Sequence, residues 1–161
     1  IDLVHSLRSI HFENTSATTS DSYFVLLKLG LVQTCVEALE ALLGDGRRVK
    51  VFDEDFYQHL SKGTFDQLLE HVISHSRRKT GKEGSLSKYL TQPPDPDLAL
   101  LVRNARNITF HASATAYSLG LTSSRLRREL LLGLANSTLN AVEEEFEAWF
   151  LRQQLAVERL R

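Results

Sequence analysis

Apolar residues along this chain recur at three- and four-residue intervals over long stretches, the period of a helix face rather than of a strand. The segment "DSYFVLLKLGLVQTCVEALEALLGDG" is apolar almost all round. It predicts a long helix at the centre of a bundle, with Asp21 or Ser22 near its N-cap and Gly44 or Gly46 as its stop. Residues 3–12 predict a short first helix, separated from the long one by the turn-rich "NTSATTSDS". Residues 53–60 and 64–75 predict two shorter helices, the second carrying Phe65, Leu68, Leu69, Val72 and Ile73 at helical spacing. After a basic segment at 77–82, the prolines of "TQPPDPD" enforce an extended run, and Asp95 or Asp97 can cap a helix over about 97–117. Past Gly120, a helix restarting at Thr122 or Ser123 keeps its pattern through Leu130, Leu134, Leu139, Val142, Phe146, Trp149, Phe150 and Leu155. At 1.5 Å per residue it spans about 50 Å. The alternation at 48–52 is too brief to compete. These elements predict an all-α, up-and-down helical bundle of about five to six helices, without internal repeats.

Composition narrows this little. The 161 residues, 42% hydrophobic and 24% charged with a formal net charge of −1, fit a single globular domain over 1–161. The near-neutral charge hides local extremes. An acidic run at Glu143, Glu144, Glu145 and Glu147 offsets basic clusters at Arg77, Arg78, Lys79 and Lys82 and at Arg125, Arg127 and Arg128, so a local electropositive surface is compatible with the total. The single cysteine, Cys35, sits in an apolar helical pattern and reads as a buried small hydrophobe; with no internal disulfide, a reducing, cytoplasmic compartment is expected. The longest apolar runs fall well short of the ~18 residues of a membrane span, so no membrane partner is expected. The chain contains no methionine and opens on Ile1, which fits a processed chain or a domain cut from a longer protein.

The stretch "LVRNARNITFHASA" carries the candidate chemistry. With about 100° between successive residues, Leu98, Leu101, Val102, Ala105, Ile108 and Ala112 fall in a sector about 120° wide, the core-facing stripe. Arg103, Asn107 and His111 follow one another at i, i+4 and i+8 on the other side, with Arg106 a turn from Arg103 and with Leu100 and Phe110 beside them. Arginine, asparagine and histidine mixed with a leucine and a phenylalanine resemble a contact surface, which predicts packing against a second copy about a two-fold axis.

The residues "RNITFH", Arg106, Asn107 and His111, match the Arg-Asn-x-x-x-His form of the motif that marks the HEPN superfamily, and the helical setting and size are similar as well. The resemblance implies an all-helical homodimer with the motif at its interface. Many members are metal-independent endoribonucleases in which a ribose 2′-hydroxyl attacks the neighbouring phosphorus, leaving a cyclic phosphate and a 5′-hydroxyl. On that implication His111 exchanges the protons, Arg106 stabilises the phosphoryl charge and Asn107 orients the imidazole or the single-stranded RNA. No cofactor is implied, and the role would be in defence or as a toxin. An antitoxin or a sensor domain would be the partner, although Ser113 stands where toxin–antitoxin members often carry tyrosine.

Arg106 and His111, five apart, diverge by about 140° on a straight helix, so either the helix bends, the side chains converge, or the pair forms between subunits. Arg103 aligns better with His111, as a second phosphate ligand or as a salt-bridge partner. His111 could equally cap or pack an interface. Such a catalytically inactive dimer would bind nucleotide, RNA or protein. His71 and His75 have a zinc-compatible spacing but no supporting ligand nearby, and the basic "SRRKTGK" reads as a solvated loop. Glu37 and Glu40, on the central helix, are candidates to reach and orient the motif.

Overall fold

The structure is a computed structural model that describes residues 1–44, 46–51, 98–110, 115–117 and 119–158, with the backbone alone over 108–110. Four helices are present among these residues: α1 Asp2–Ser6, α2 Ala17–Leu43, α3 Leu98–Phe110 and α4 Arg125–Glu158. There is no strand among them, so the described fold is all-α. The two helices expected over 53–60 and 64–75 lie outside the described residues, as do His71, His75 and the basic segment at 77–82. No described helix is long and apolar enough to cross a membrane.

The central helix is central because it meets every other one: α2 packs along α4 and α3, and α1 lies on it. Leu29, Val32, Val36 and Leu39 of α2 close against Leu98, Val102 and Ala105 of α3 and Leu131, Leu134, Leu139 and Val142 of α4. Val49 and Val51 join this core from the segment after α2, while Arg48 and Lys50 stay exposed, so the brief alternation at 48–51 is real but pairs with no second strand among the described residues. Cys35 is half-buried, and burial raises its thiol pKa, as for an inert core cysteine.

Helix ends depart from the pattern where several residues compete for one role. The N-cap of α2 is Ser16, whose hydroxyl accepts the Thr19 N–H at 3.1 Å, five residues before the expected Asp21. Tertiary bonding selects it. The buried Ser20 hydroxyl accepts the Phe12 N–H at 3.3 Å and meets the Thr15 hydroxyl at 3.0 Å, which places the turn ahead of Ser16. Reaching that turn takes the chain out of α1 after Ser6, shorter than the expected 3–12. At the other end Gly44, with φ of 69°, stops α2 as expected.

The third helix, expected to run to about Tyr117, is described only as far as Phe110, and residues 115–117 and 119–124 lie in turns rather than in helix. Their anchors are apolar: Ala116, Leu119 and Leu121 are buried, and a continuous helix would not turn all three to the core. Arginines complete the loop. Arg127 donates to the Leu119 carbonyl at 3.0 Å and Arg128 to the Leu121 carbonyl, while Arg125 pairs with Glu129. Two of the three arginines in this expected electropositive cluster therefore tie down backbone.

Gly120 has φ of 68°, and a Cβ there would stand 2.6 Å from Arg127 Nη1. Gly120→Ala is expected to cost about 2 kcal/mol, from left-handed backbone strain plus a displaced Arg127 hydrogen bond. Urea denaturation measures this, and a loss below about 0.5 kcal/mol would show that the loop relaxes freely.

Candidate functional site

The first half of α3 is wedged between α2 and α4. Leu98, Leu101, Val102 and Ala105 of the expected stripe are buried, and Ala99 with them. Leu100, expected on the outward contact surface, instead packs half-buried against the core. A helix held between two neighbours buries a wider arc than one lying on a single neighbour, so its first turn is covered on most sides. Ile108, Phe110 and Ala112 carry no described side chain.

Two of the motif residues are joined directly. Arg106 Nη1 donates to Asn107 Oδ1 at 3.0 Å, and both side chains are half-buried. The bond fixes the asparagine amide with its oxygen toward the guanidinium, so its amino group is the end left to donate. Asn104, by contrast, turns back on its own helix, donating to the Leu100 carbonyl at 2.8 Å. His111 follows the last residue of α3 and lies outside the described residues.

Arg103 is bound across helices. Its Nη2 donates to both carboxylate oxygens of Glu40, at 2.8 and 2.7 Å, with the two side chains only 20% and 17% exposed. Glu40 Oε1 also accepts the Val49 N–H at 3.0 Å. One carboxylate thus ties the end of α2, the segment that follows and α3 into a single junction, which the Leu98 N–H extends by donating to the Val51 carbonyl at 2.9 Å. Glu40 does reach the motif helix. Glu37 is exposed and instead accepts from Gln33 at 3.0 Å.

This junction sets what Arg103 can do. Glu40 neutralises most of its charge, so any attraction for a phosphate is weaker than an unpaired guanidinium would exert. Toward the described residues only Nη2 is engaged, which leaves Nε and Nη1 as donors. Arg103 therefore combines anchoring with a residual capacity to bind an anion. Sequence reading missed Arg47, Arg48 and Lys50, a basic segment held to the junction through Val49. The segment borders an open cleft of about 440 Å³ whose far side carries Glu144 and Glu145. Its signal was present in the sequence, where three cations fall within four residues at the same density as Arg125, Arg127 and Arg128.

No group of three potential metal-ligating side chains is assembled among the described residues. Comparison with family models, with curated proteins and with solved structures finds no match to this chain.

Proposed function

We propose that the chain acts as a homodimeric, metal-independent endoribonuclease of the HEPN type, cutting single-stranded RNA by 2′-hydroxyl attack, in a defence or toxin-like role. The observation that carries this reading is the bonded Arg106–Asn107 pair on α3, with Asn107 opposite the buried Leu101, Val102 and Ala105 and Arg106 at the edge of that stripe. The pair sets a guanidinium charge and an amide beside each other on one helix. His111 stands in sequence where the motif needs it, one helical turn beyond Asn107.

In the reaction, one imidazole takes the proton of the ribose 2′-hydroxyl as its oxygen bonds to phosphorus. Another proton reaches the departing 5′-oxygen as the P–O5′ bond breaks. Arg106 offsets the negative charge that builds on the non-bridging oxygens. A single histidine can hardly serve both sides of one phosphorus. Two copies of α3 about a two-fold axis supply two, and for that reason the motif helix is proposed as the dimer seam.

The test is incubation of the purified protein with single-stranded RNA in excess EDTA, with product ends identified by mass. Expected are fragments ending in a 2′,3′-cyclic phosphate and a 5′-hydroxyl, no cleavage of the all-deoxy strand, and a dimer in solution. A monomer that leaves every RNA intact would overturn the proposal. A dimer that binds RNA tightly without cutting it would replace the enzyme with a binding module.

A further inference from the structure

Lys28 is a cation in the wrong place for a core helix. It lies on the buried side of α2, only 4% exposed, with no ion pair or hydrogen bond to any described residue. Its ammonium nitrogen is not among the fully buried polar atoms without a partner, so the apolar stem is covered while the tip reaches the space beside the helix. Burial first, and the charge of Arg8 second, pull its pKa below the usual lysine range.

The space beside it gathers hydrogen-bond donors. Lys28 lines an open cleft of about 570 Å³ between α1, α2 and α4, shared with Arg8, Ser6, Asn136 and Asn140. Asn136 and Asn140 stand one turn apart on α4 and present amides on the same face. Arg8 reaches in from the extended chain after α1, and its exposed side chain is free to swing onto a ligand. Two carboxylates also line the cleft: Glu143 sits 3.0 Å from His5 Nε2, and Asp2 is exposed in the first turn of α1. Cationic and amide donors therefore approach from three directions, the arrangement that satisfies the several oxygens of a phosphate. The cleft is larger than one phosphate ion, so there is room for the group that carries it.

The geometry points to a binding site for a small phosphomonoester in this cleft, with Lys28 and Arg8 on the phosphate and the asparagine amides on its remaining oxygens. The site is separate from the motif helix: neither Arg103, Arg106 nor Asn107 lines it. It does not depend on the ribonuclease reading.

Ribose 5-phosphate, titrated calorimetrically into the full chain with ribose as the control, tests the site. Saturable binding of the phosphate ester and none of ribose is expected. Lys28→Met and Arg8→Ala should each weaken binding about tenfold or more, one lost charge-assisted contact apiece. Arg8→Ala alters an exposed side chain and keeps the fold, so it decides the question if Lys28→Met fails to fold. No saturable binding of the ester, or binding that survives Arg8→Ala unchanged, overturns the assignment. Inorganic phosphate binding as tightly as the ester would overturn the ester and leave a simple anion site. His111→Ala, which tests the other reading, should leave this binding unchanged.

Discussion

Replacing His111 with alanine is expected to lower the rate of RNA cleavage by about 10²- to 10⁴-fold, the range general acid–base catalysis contributes. If each active site draws its acid from one subunit and its base from the other, the substitution removes both at once, and the upper part of that range applies. Arg106→Ala should cost about 10²- to 10³-fold by removing charge stabilisation from the transition state, and it also frees Asn107 from its 3.0 Å bond. The two variants differ in a second readout. His111→Ala should flatten the pH–rate profile near neutrality, whereas Arg106→Ala should lower the rate at every pH without moving it. Helix content by circular dichroism and mass by light scattering should match the wild type in both. Cleavage that survives His111→Ala at more than a tenth of the wild-type rate would sink the proposed mechanism.

The second large effect is on stability. Glu40→Ala is expected to destabilise the fold by about 3 kcal/mol, because one truncation strips two buried groups of their acceptor. The Arg103 guanidinium, one-fifth exposed, loses both carboxylate contacts, and the buried Val49 N–H loses its 3.0 Å bond. For a domain of this size the melting temperature should fall by roughly 6–12 °C. Glu40→Gln keeps one acceptor oxygen and the side-chain volume, so about half the loss is expected. Urea denaturation with both variants measures the difference. A Glu40→Ala cost under about 0.5 kcal/mol would mean the junction is held by packing alone, with the ion pair contributing nothing measurable.

The two predictions also mark what a sequence can and cannot disclose here. The stripe Leu98, Leu101, Val102 and Ala105 was legible because helical periodicity is local and burial follows it. So was the central place of α2, since a helix apolar all round has nowhere to go but between others. The Arg103–Glu40 pair joins residues 63 apart: a place on the central helix made Glu40 a candidate beside Glu37, and only the tertiary contact chooses between them. The Ser16 cap was missed for a related reason. In "NTSATTSDS" many side chains can cap a helix, and contacts from Phe12 and Thr15 to Ser20 choose among them. Nothing in the sequence around Lys28 sets it apart from other helix lysines, and only the meeting of three elements makes it a lining residue. Of the candidate site, the Arg106–Asn107 pair is the part that adjacency in sequence could deliver.

One consequence belongs to the far end of α4. Its seven buried residues all lie between Leu130 and Val142, whereas from Phe150 to Glu158 every side chain is exposed. Nine residues in isolation would be too short to hold a helix in water, because closing the first turn is the unfavourable step and later turns are nearly neutral. Here the packed turns supply that nucleus, and the Phe146 ring, stacked on Trp149 and Phe150, carries order across the boundary. The end of α4 is thus pure propagation. Its helicity is borrowed from the core through the backbone, and with each added turn nearly neutral it frays turn by turn before the core opens.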